Sequence, residues 1–197
     1  MTLQPTTLLV RDTPRTDAAG TTSQVAVLRA GVEDADLVRT MLIELATHER
    51  TAHAVHSTSE DWQRMLGSEA VVVLIAYLDD EPVGYVSGIR QLNLWVGHDI
   101  LAMDDLYVRA EARDRGVGNM LMAALAEVAS QGDLLVTWGV RSDNDAGHRF
   151  YQRLGATLRT KVVASWRPED YRAHLDAAHE RKGQRAHEAS QHPRPQR

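Results

Sequence analysis

The 197-residue chain contains no cysteine, which excludes a disulfide scaffold, a thiolate–zinc site and a cysteine nucleophile. It also has no run approaching the roughly 18 consecutive apolar residues that a membrane-spanning helix needs. Near the start, Leu8, Leu9 and Val10 form an apolar cluster too short for the core of a secretion signal, so the expectation is a cytoplasmic protein. Basic residues are outnumbered: 22 Lys and Arg against 27 Asp and Glu leave a formal charge of −5. From Arg167 onward seven basic residues face five acidic ones, so residues 1–166 carry −7. Such a body lacks the phosphate-neutralising surface that gives nucleic-acid affinity, and it is compatible with small cations. The three-glycine dinucleotide fingerprint, the Gly-Lys-Ser/Thr of a P-loop and a helical His-Glu-x-x-His are missing as well.

What is present, 43% apolar and 25% charged residues, suits one globular domain. Residues 1–23 lack periodicity and read as a mobile segment. Residues 24–166 carry the domain, and residues 167–197 a last helix over Pro168–Arg181 followed by a polar, mobile tail. Within the domain, Gln24–Arg29 alternates like an edge strand, and Val32–Ala46 has helical spacing behind Glu33, Asp34 and Asp36. Ser57 to Asp61 offers caps for a short helix reaching Leu66. Ala70–Leu78 is a buried-strand run, turned by Asp79 to Pro82 into an antiparallel partner, Val83–Gln91. A fourth strand, Asp99–Val108, precedes a helix over Val117–Ser130. Leu134–Val140 is a fifth strand, Asp145–Leu154 a helix, and Ala156–Trp166 one or two closing strands. Strand–helix–strand order in the second half favours parallel pairing of the fourth and fifth strands beside an antiparallel first half.

The loop between the fourth strand and its helix reads Arg113-Asp114-Arg115-Gly116-Val117-Gly118. Glycines there allow close backbone approach, the first helical N–H groups lack partners and the helix dipole favours an anion, so a phosphate or pyrophosphate is the natural guest. Arg113 and Arg115 add charge-assisted donors. The plainer alternative is a tight strand-to-helix turn in which glycine only relieves strain.

With the preceding strand Met103-Asp-Asp-Leu-Tyr-Val108, this loop resembles the acetyl-CoA segment of the GCN5-related N-acetyltransferase (GNAT) superfamily. A second segment, Asn144-Asp-Ala146 followed by Phe150-Tyr151-Gln-Arg-Leu-Gly155-Ala156, is similar to that superfamily's other signature. The resemblance covers roughly residues 24–166. It implies an α/β (mixed α+β) fold: a central mixed sheet of six to seven strands, with parallel strands 4 and 5 splayed apart and helices on the flanks. It further implies acetyl-CoA held by Leu106, Tyr107 and Val108, by Arg113, Asp114, Arg115, Gly116, Val117, Gly118 and Asn119, and by Asn144, Ala146 and Tyr151. Glu44 to Glu49, Trp95-Val-Gly, Met103-Asp-Asp105 and Trp166 with Pro168 to Tyr171 resemble the diamine, polyamine and thialysine N-acetyltransferases. Carried over residue by residue, Glu49, Trp95, Asp104, Asp105 and Trp166 surround a cationic substrate. Asn93 and Ala164 stand where acids occur in polyamine enzymes, and Asp104 where glutamate is usual, which favours a shorter amine with one or two charges.

An alkyl ammonium with a pKa near 10.4 leaves about 1 in 2,500 molecules neutral at pH 7, a deficit of roughly 4.6 kcal/mol. Asp104, through a bridging water more readily than directly, is the expected base, and Tyr151 the acid that protonates the departing thiolate. An amide near Val108 would stabilise the oxyanion, and no acyl-enzyme is required. Regular alternation puts Asp104 on the face of Ala102 and Leu106, and Asp105 on that of Met103 and Tyr107, unless a bulge intervenes. The plainer alternatives are an Asp104 or Asp105 that caps a loop or pairs with an arginine such as Arg141, a solvated Glu49 and core aromatics at Trp95 and Trp166. His48, His53 and His56 give no metal-ligand spacing, and no metal is expected. The partners expected are a small-molecule amine and, by resemblance, a second copy in a homodimer packed through Ala156–Trp166, with neither nucleic acid nor membrane. Acetylation of protein amines or antibiotics, and a noncatalytic acyl-CoA sensor, are the competing functions.

Overall fold

The computed structural model describes residues 8–11, 15–16 and 22–191. They fall into two units, Met1–Val140 and Arg141–Arg197. The strands, all in the first, are β1 (Leu8–Arg11), β2 (Arg15–Thr16), β3 (Thr22–Ser23), β4 (Val25–Arg29), β5 (Val71–Leu78), β6 (Glu81–Asn93), β7 (His98–Val108) and β8 (Val136–Thr137). Six make one sheet in the order β1-β4-β5-β6-β7-β8, while β2 and β3 pair with each other. Neighbours in the large sheet are antiparallel except β7 and β8, which run parallel. The mixed sheet expected from the order of elements is therefore what forms.

β5 is apolar at almost every position because both of its faces are covered. On one side α1 (Ala35–His48) and α2 (Ser59–Leu66) bring Val38, Met41 and Trp62 against Val73, Ile75 and Tyr85. Helix α3 (Val117–Ser130) packs on β5, β6 and β7 and has no part in that cluster, so it takes the face to which alternation sends Val72, Leu74 and Val86. Leu121 and Leu125 of α3 are fully buried, and each such side chain contributes about 1.5–3 kcal/mol. The caps of α2 follow from its first residues: Thr58 Oγ1 accepts the Asp61 N–H while Asp61 Oδ2 accepts the Thr58 N–H, a reciprocal capping box.

The second unit holds α4 (Asp145–Arg153) and α5 (Pro168–Gln191). Asn144 caps α4, its Oδ1 accepting the Gly147 N–H at 2.8 Å. Pro168 at the first position of α5, with Glu169 and Asp170 in the first turn, suits a helix N-terminus.

Four sequence expectations need correction. Leu8–Arg11, placed in a mobile segment, is a strand on β4, so β4 is interior to the sheet. The fifth strand shrinks from Leu134–Val140 to Val136–Thr137, because its ladder with β7 ends at Thr137. Ala156–Trp166 forms no strand; a strand needs a ladder neighbour, this segment has none among the described residues, and Val162 and Val163 stand 89% and 88% exposed. Helix α5 runs to Gln191, ten residues past Arg181, because nothing before Pro193 stops it. The rest of the expected tail, residues 192–197, lies outside the described residues, as do residues 1–7, 12–14 and 17–21 of the expected N-terminal segment.

Candidate active site

The parallel ladder joins Leu101 to Val136 and Ala102 to Thr137 and goes no further. From Met103 to Val108 this edge of β7 has no ladder partner among the described residues, so the two strands part there. Antiparallel pairing with β6 fixes which backbone groups face the gap. Arg109 N–H donates to Val83 O at 2.8 Å and Tyr107 pairs with Tyr85, so from Asp105 to Arg109 the odd-numbered residues turn their backbone groups to β6. Leu106 and Val108 turn theirs to the open edge. Tyr107 offers that edge no backbone group, which the sequence reading had not separated.

Beyond Val108 the chain makes a single 3-10 turn, Ala110–Ala112, anchored by buried Ala112, and enters the Arg113–Gly118 loop. Asp114 (φ 59°) and Gly116 (φ 83°) are both left-handed, the kind of turn that gathers successive N–H groups into an anion-binding nest. Gly116 is the N-cap of α3, whose first turn carries no acid. Its dipole is therefore uncompensated by the chain itself. Arg115 is exposed beside it, and Arg113 Nε donates to Val108 O at 3.0 Å, closing the loop onto the strand end. This donor set fits a diphosphate.

The Asp104–Asp105 pair sits at a β-bulge. Val86 faces Leu106 and Gly88 faces Met103, so Ser87 alone opposes both aspartates. The extra residue sends Met103 to the other face, and Asp105 lies on the face of Tyr85 and Tyr107. There Tyr85 Oη donates to Asp105 Oδ2 at 3.2 Å and Ser87 Oγ to the same oxygen at 3.3 Å. Gly88 permits the close approach, since a Cβ there would lie 2.9 Å from Ala102 O. Burial raises the pKa of Asp105 against the opposing pull of these hydroxyls. Asp104 is exposed, and partial desolvation and then the charge of Asp105 raise it as well.

A second carboxylate on this side of the sheet is differently employed. Glu44 of α1 receives a bidentate pair from Arg109, with Nη2 to Oε1 at 2.7 Å and Nε to Oε2 at 2.9 Å, and Tyr107 Oη donates to Oε2 at 3.3 Å. Arg109 Nη1 also donates to Pro82 O. The guanidinium holds Glu44 below the ordinary carboxylate range. Glu49, exposed at the C-cap of α1, is close enough that its charge helps raise the buried Tyr85 phenol, after burial and Asp105.

Trp95 is 99% exposed at the tip of the β6–β7 hairpin, where Asn93 Oδ1 accepts the N–H of Trp95 and Val96. Asn93 is thus a turn residue, and Trp95 is no core aromatic. Six residues separate Ser87 from Asn93, roughly 20 Å of strand, so the chain does not bring Trp95 to Asp105. Trp166, just before the N-cap of α5, packs edge-on against Tyr171 (6.1 Å) and His174 (5.5 Å), a hydrophobic staple for that helix. Tyr151 is buried on α4 against Phe150, and burial raises its phenol. Arg141 pairs with Asp143, two residues on.

A family model for the acetyltransferase (GNAT) family matches residues 38–156, which contain both motifs and the parted strands. The thialysine N-epsilon-acetyltransferase of Caenorhabditis elegans is 30% identical over 130 residues, 66% of this chain and 81% of that protein. The chain belongs to the GNAT family and is an N-acetyltransferase. Solved structures share the fold of this acetyltransferase. An aminoglycoside acetyltransferase from an uncultured soil metagenomic sample superposes with a TM-score of 0.64 at 17% identity, over 73% of this chain and 95% of that one. An aminoglycoside N-acetyltransferase in complex with CoA does so at 0.62 and 17%, over 74% and 96%. In the GNAT enzyme described here, sequence reasoning missed Ser87, Tyr85 and the Glu44–Arg109 clamp. The available signal was Tyr85 and Ser87, two hydroxyls two residues apart within the otherwise apolar buried run Val83–Gly88.

Proposed function

We propose that this acetyltransferase transfers an acetyl group from acetyl-CoA directly to the primary amine of a small cationic substrate, in the diamine, polyamine or amino-acid-like class. One observation carries the reading: a glycine loop at a helix N-terminus and an open strand edge adjoin a pair of carboxylates on the same strand, Asp105 partly buried and Asp104 exposed. Acetyl-CoA supplies the activated acyl carbon. The amides of Arg113 to Asn119 and the two arginines hold its diphosphate, and the open-edge groups of Leu106 and Val108 hold its arm. Asn144, Ala146 and Tyr151 join them on the strength of their motif. Asp105 and Glu49 attract the ammonium, and Asp104, exposed and raised in pKa, takes its proton through a water. Tyr151, whose phenol stays protonated at neutral pH, is the acid. Trp166 closes the amine's surroundings by resemblance alone.

A homodimer is part of this reading, supported by the exposed apolar side chains of Leu94, Trp95, Val162 and Val163. Light scattering of the purified protein tests it, a monomer at micromolar concentration removing it.

Thiol release from acetyl-CoA across a panel of diamines, polyamines, lysine analogues, aminoglycosides and peptides is the deciding experiment. Turnover on a small aliphatic amine supports the proposal. Turnover confined to aminoglycosides or peptides replaces the substrate class, and CoA binding without turnover favours a sensor. Gly116→Val forces a β-branched residue into a left-handed conformation and should weaken CoA binding about tenfold or more by calorimetry.

A further inference from the structure

We infer that Tyr85 and Ser87 are positioning residues that hold the Asp105 carboxylate as the anion on which the acceptor's ammonium rests. The inference depends on the amine acetylation proposed above. It starts from the bulge: Asp105 shares the face of Tyr107 and Tyr85, and the extra residue in β7 sends Met103 to the opposite face and leaves Ser87 as the residue of β6 across from Asp105. Ser87 supplies what the broken ladder lacks. Its Oγ accepts the Asp105 N–H at 3.3 Å and also donates to Asp105 Oδ2.

Both hydroxyls converge on Oδ2, and Oδ1 receives no hydrogen bond among the described residues. A carboxylate held this way keeps one oxygen and its whole charge for another donor, because neutral hydroxyls favour the anion without cancelling it. The charged or titratable groups around it are Tyr85 on β6, Asp104 and Tyr107 on β7, and Glu49 at the end of α1; Tyr85 and Tyr107 stand 6.2 Å apart between ring centres. None is a cation, and Arg109 is bidentate on Glu44. Tyr85 is fully buried and Ser87 is 6% exposed, so neither donor is free to swing away. A partly buried anion lacking a cation is costly to a fold and useful to a site that takes a cation from solution.

The test uses Tyr85→Phe and Ser87→Ala, which remove one hydroxyl each and leave the packing in place. Steady-state thiol release should show the amine KM rising about tenfold in each variant, with the KM for acetyl-CoA within about twofold of wild type. Carboxyl-carbon NMR should show Asp105 titrating at higher pH than in wild type, its proton affinity up about tenfold, while Asp104 moves little. The acid limb of kcat/KM should shift the same way. An unchanged amine KM, parallel rises for amine and acetyl-CoA, or an unmoved Asp105 midpoint would overturn the inference. If the wild-type protein acetylates no amine, the proposed function falls by itself, and the NMR comparison still decides whether the hydroxyls hold the carboxylate.

Discussion

Glu44 and Asp105 are two carboxylates on the same side of one sheet, linked through the tyrosines that touch them, and they are satisfied in opposite ways. Glu44 meets a guanidinium that neutralises it, and its pKa falls. Asp105 meets two hydroxyls that orient it without neutralising it, and because burial outweighs their downward pull its pKa rises. The first arrangement ties α1 to the end of β7 and so steadies the strand from which the Arg113–Gly118 loop departs. The second leaves negative charge unspent beside the open strand edge. A hydrogen-bonded acid in a candidate site is therefore informative only once its partner's charge is known.

The largest effect should come from emptying the second arrangement. Asp105→Ala removes the charge proposed to face the ammonium and should lower kcat/KM for the amine about 10²–10³-fold, with little change in CoA affinity. Glu44→Ala should leave the amine KM within a fewfold and lower stability instead. Equal losses of amine turnover in the two variants would erase the distinction. Next in size is Arg109→Ala, which turns Glu44 into a second unneutralised carboxylate. The pair is bidentate but a quarter to a third exposed, so the expected loss is about 2 kcal/mol of unfolding free energy in urea, less than a fully buried pair would show.

How far these two acids could be told apart from sequence depends on what separates them. Both were visible as letters, and the glycine loop, the parallel strand pair and the second motif were legible because each is a local pattern with one geometric solution. The bulge was not legible: alternation counted along Met103–Val108 has no way of registering that Ser87, 18 positions away from Asp105, faces two residues at once. Glu44–Arg109 spans 65 positions and was hidden for the same reason. Ala156–Trp166 misled in the other direction, since strand-like composition does not supply a strand neighbour. Trp95 and Trp166 were equally legible as aromatics, yet one crowns a hairpin and the other staples a helix, a difference set by turns several residues away.

pH separates the acids by the sign of their linkage to folding. The folded pKa of Glu44 lies below its unfolded value, so its stabilisation is present above about pH 4.3 and is lost as pH falls through the folded value. Asp105 has the reverse sign: the fold binds its proton more tightly than the unfolded chain does, so stability declines as pH rises from about 3.9 through the raised folded value. Urea unfolding between about pH 3.5 and 7 should therefore show Asp105→Asn losing the decline and Glu44→Gln losing the rise. Identical slopes for the two variants would contradict the assignment of opposite partners.

The smallest effect tests whether the comparison is confined to a single chain. Trp95 is almost wholly exposed at the hairpin tip, roughly 20 Å along the strand from Asp105, so Trp95→Ser should change stability by less than about 0.5 kcal/mol. Its effect on the amine separates two geometries. An unchanged KM means that the carboxylates act without the hairpin. A raised KM in a protein that light scattering shows to be dimeric would mean that the indole reaches the site of a second copy, worth about 0.5–2 kcal/mol as a cation–π contact. In that case a 1:1 mixture of Trp95→Ser and Asp105→Ala chains should recover activity that neither variant has alone, because one of its mixed sites combines an intact indole with an intact carboxylate.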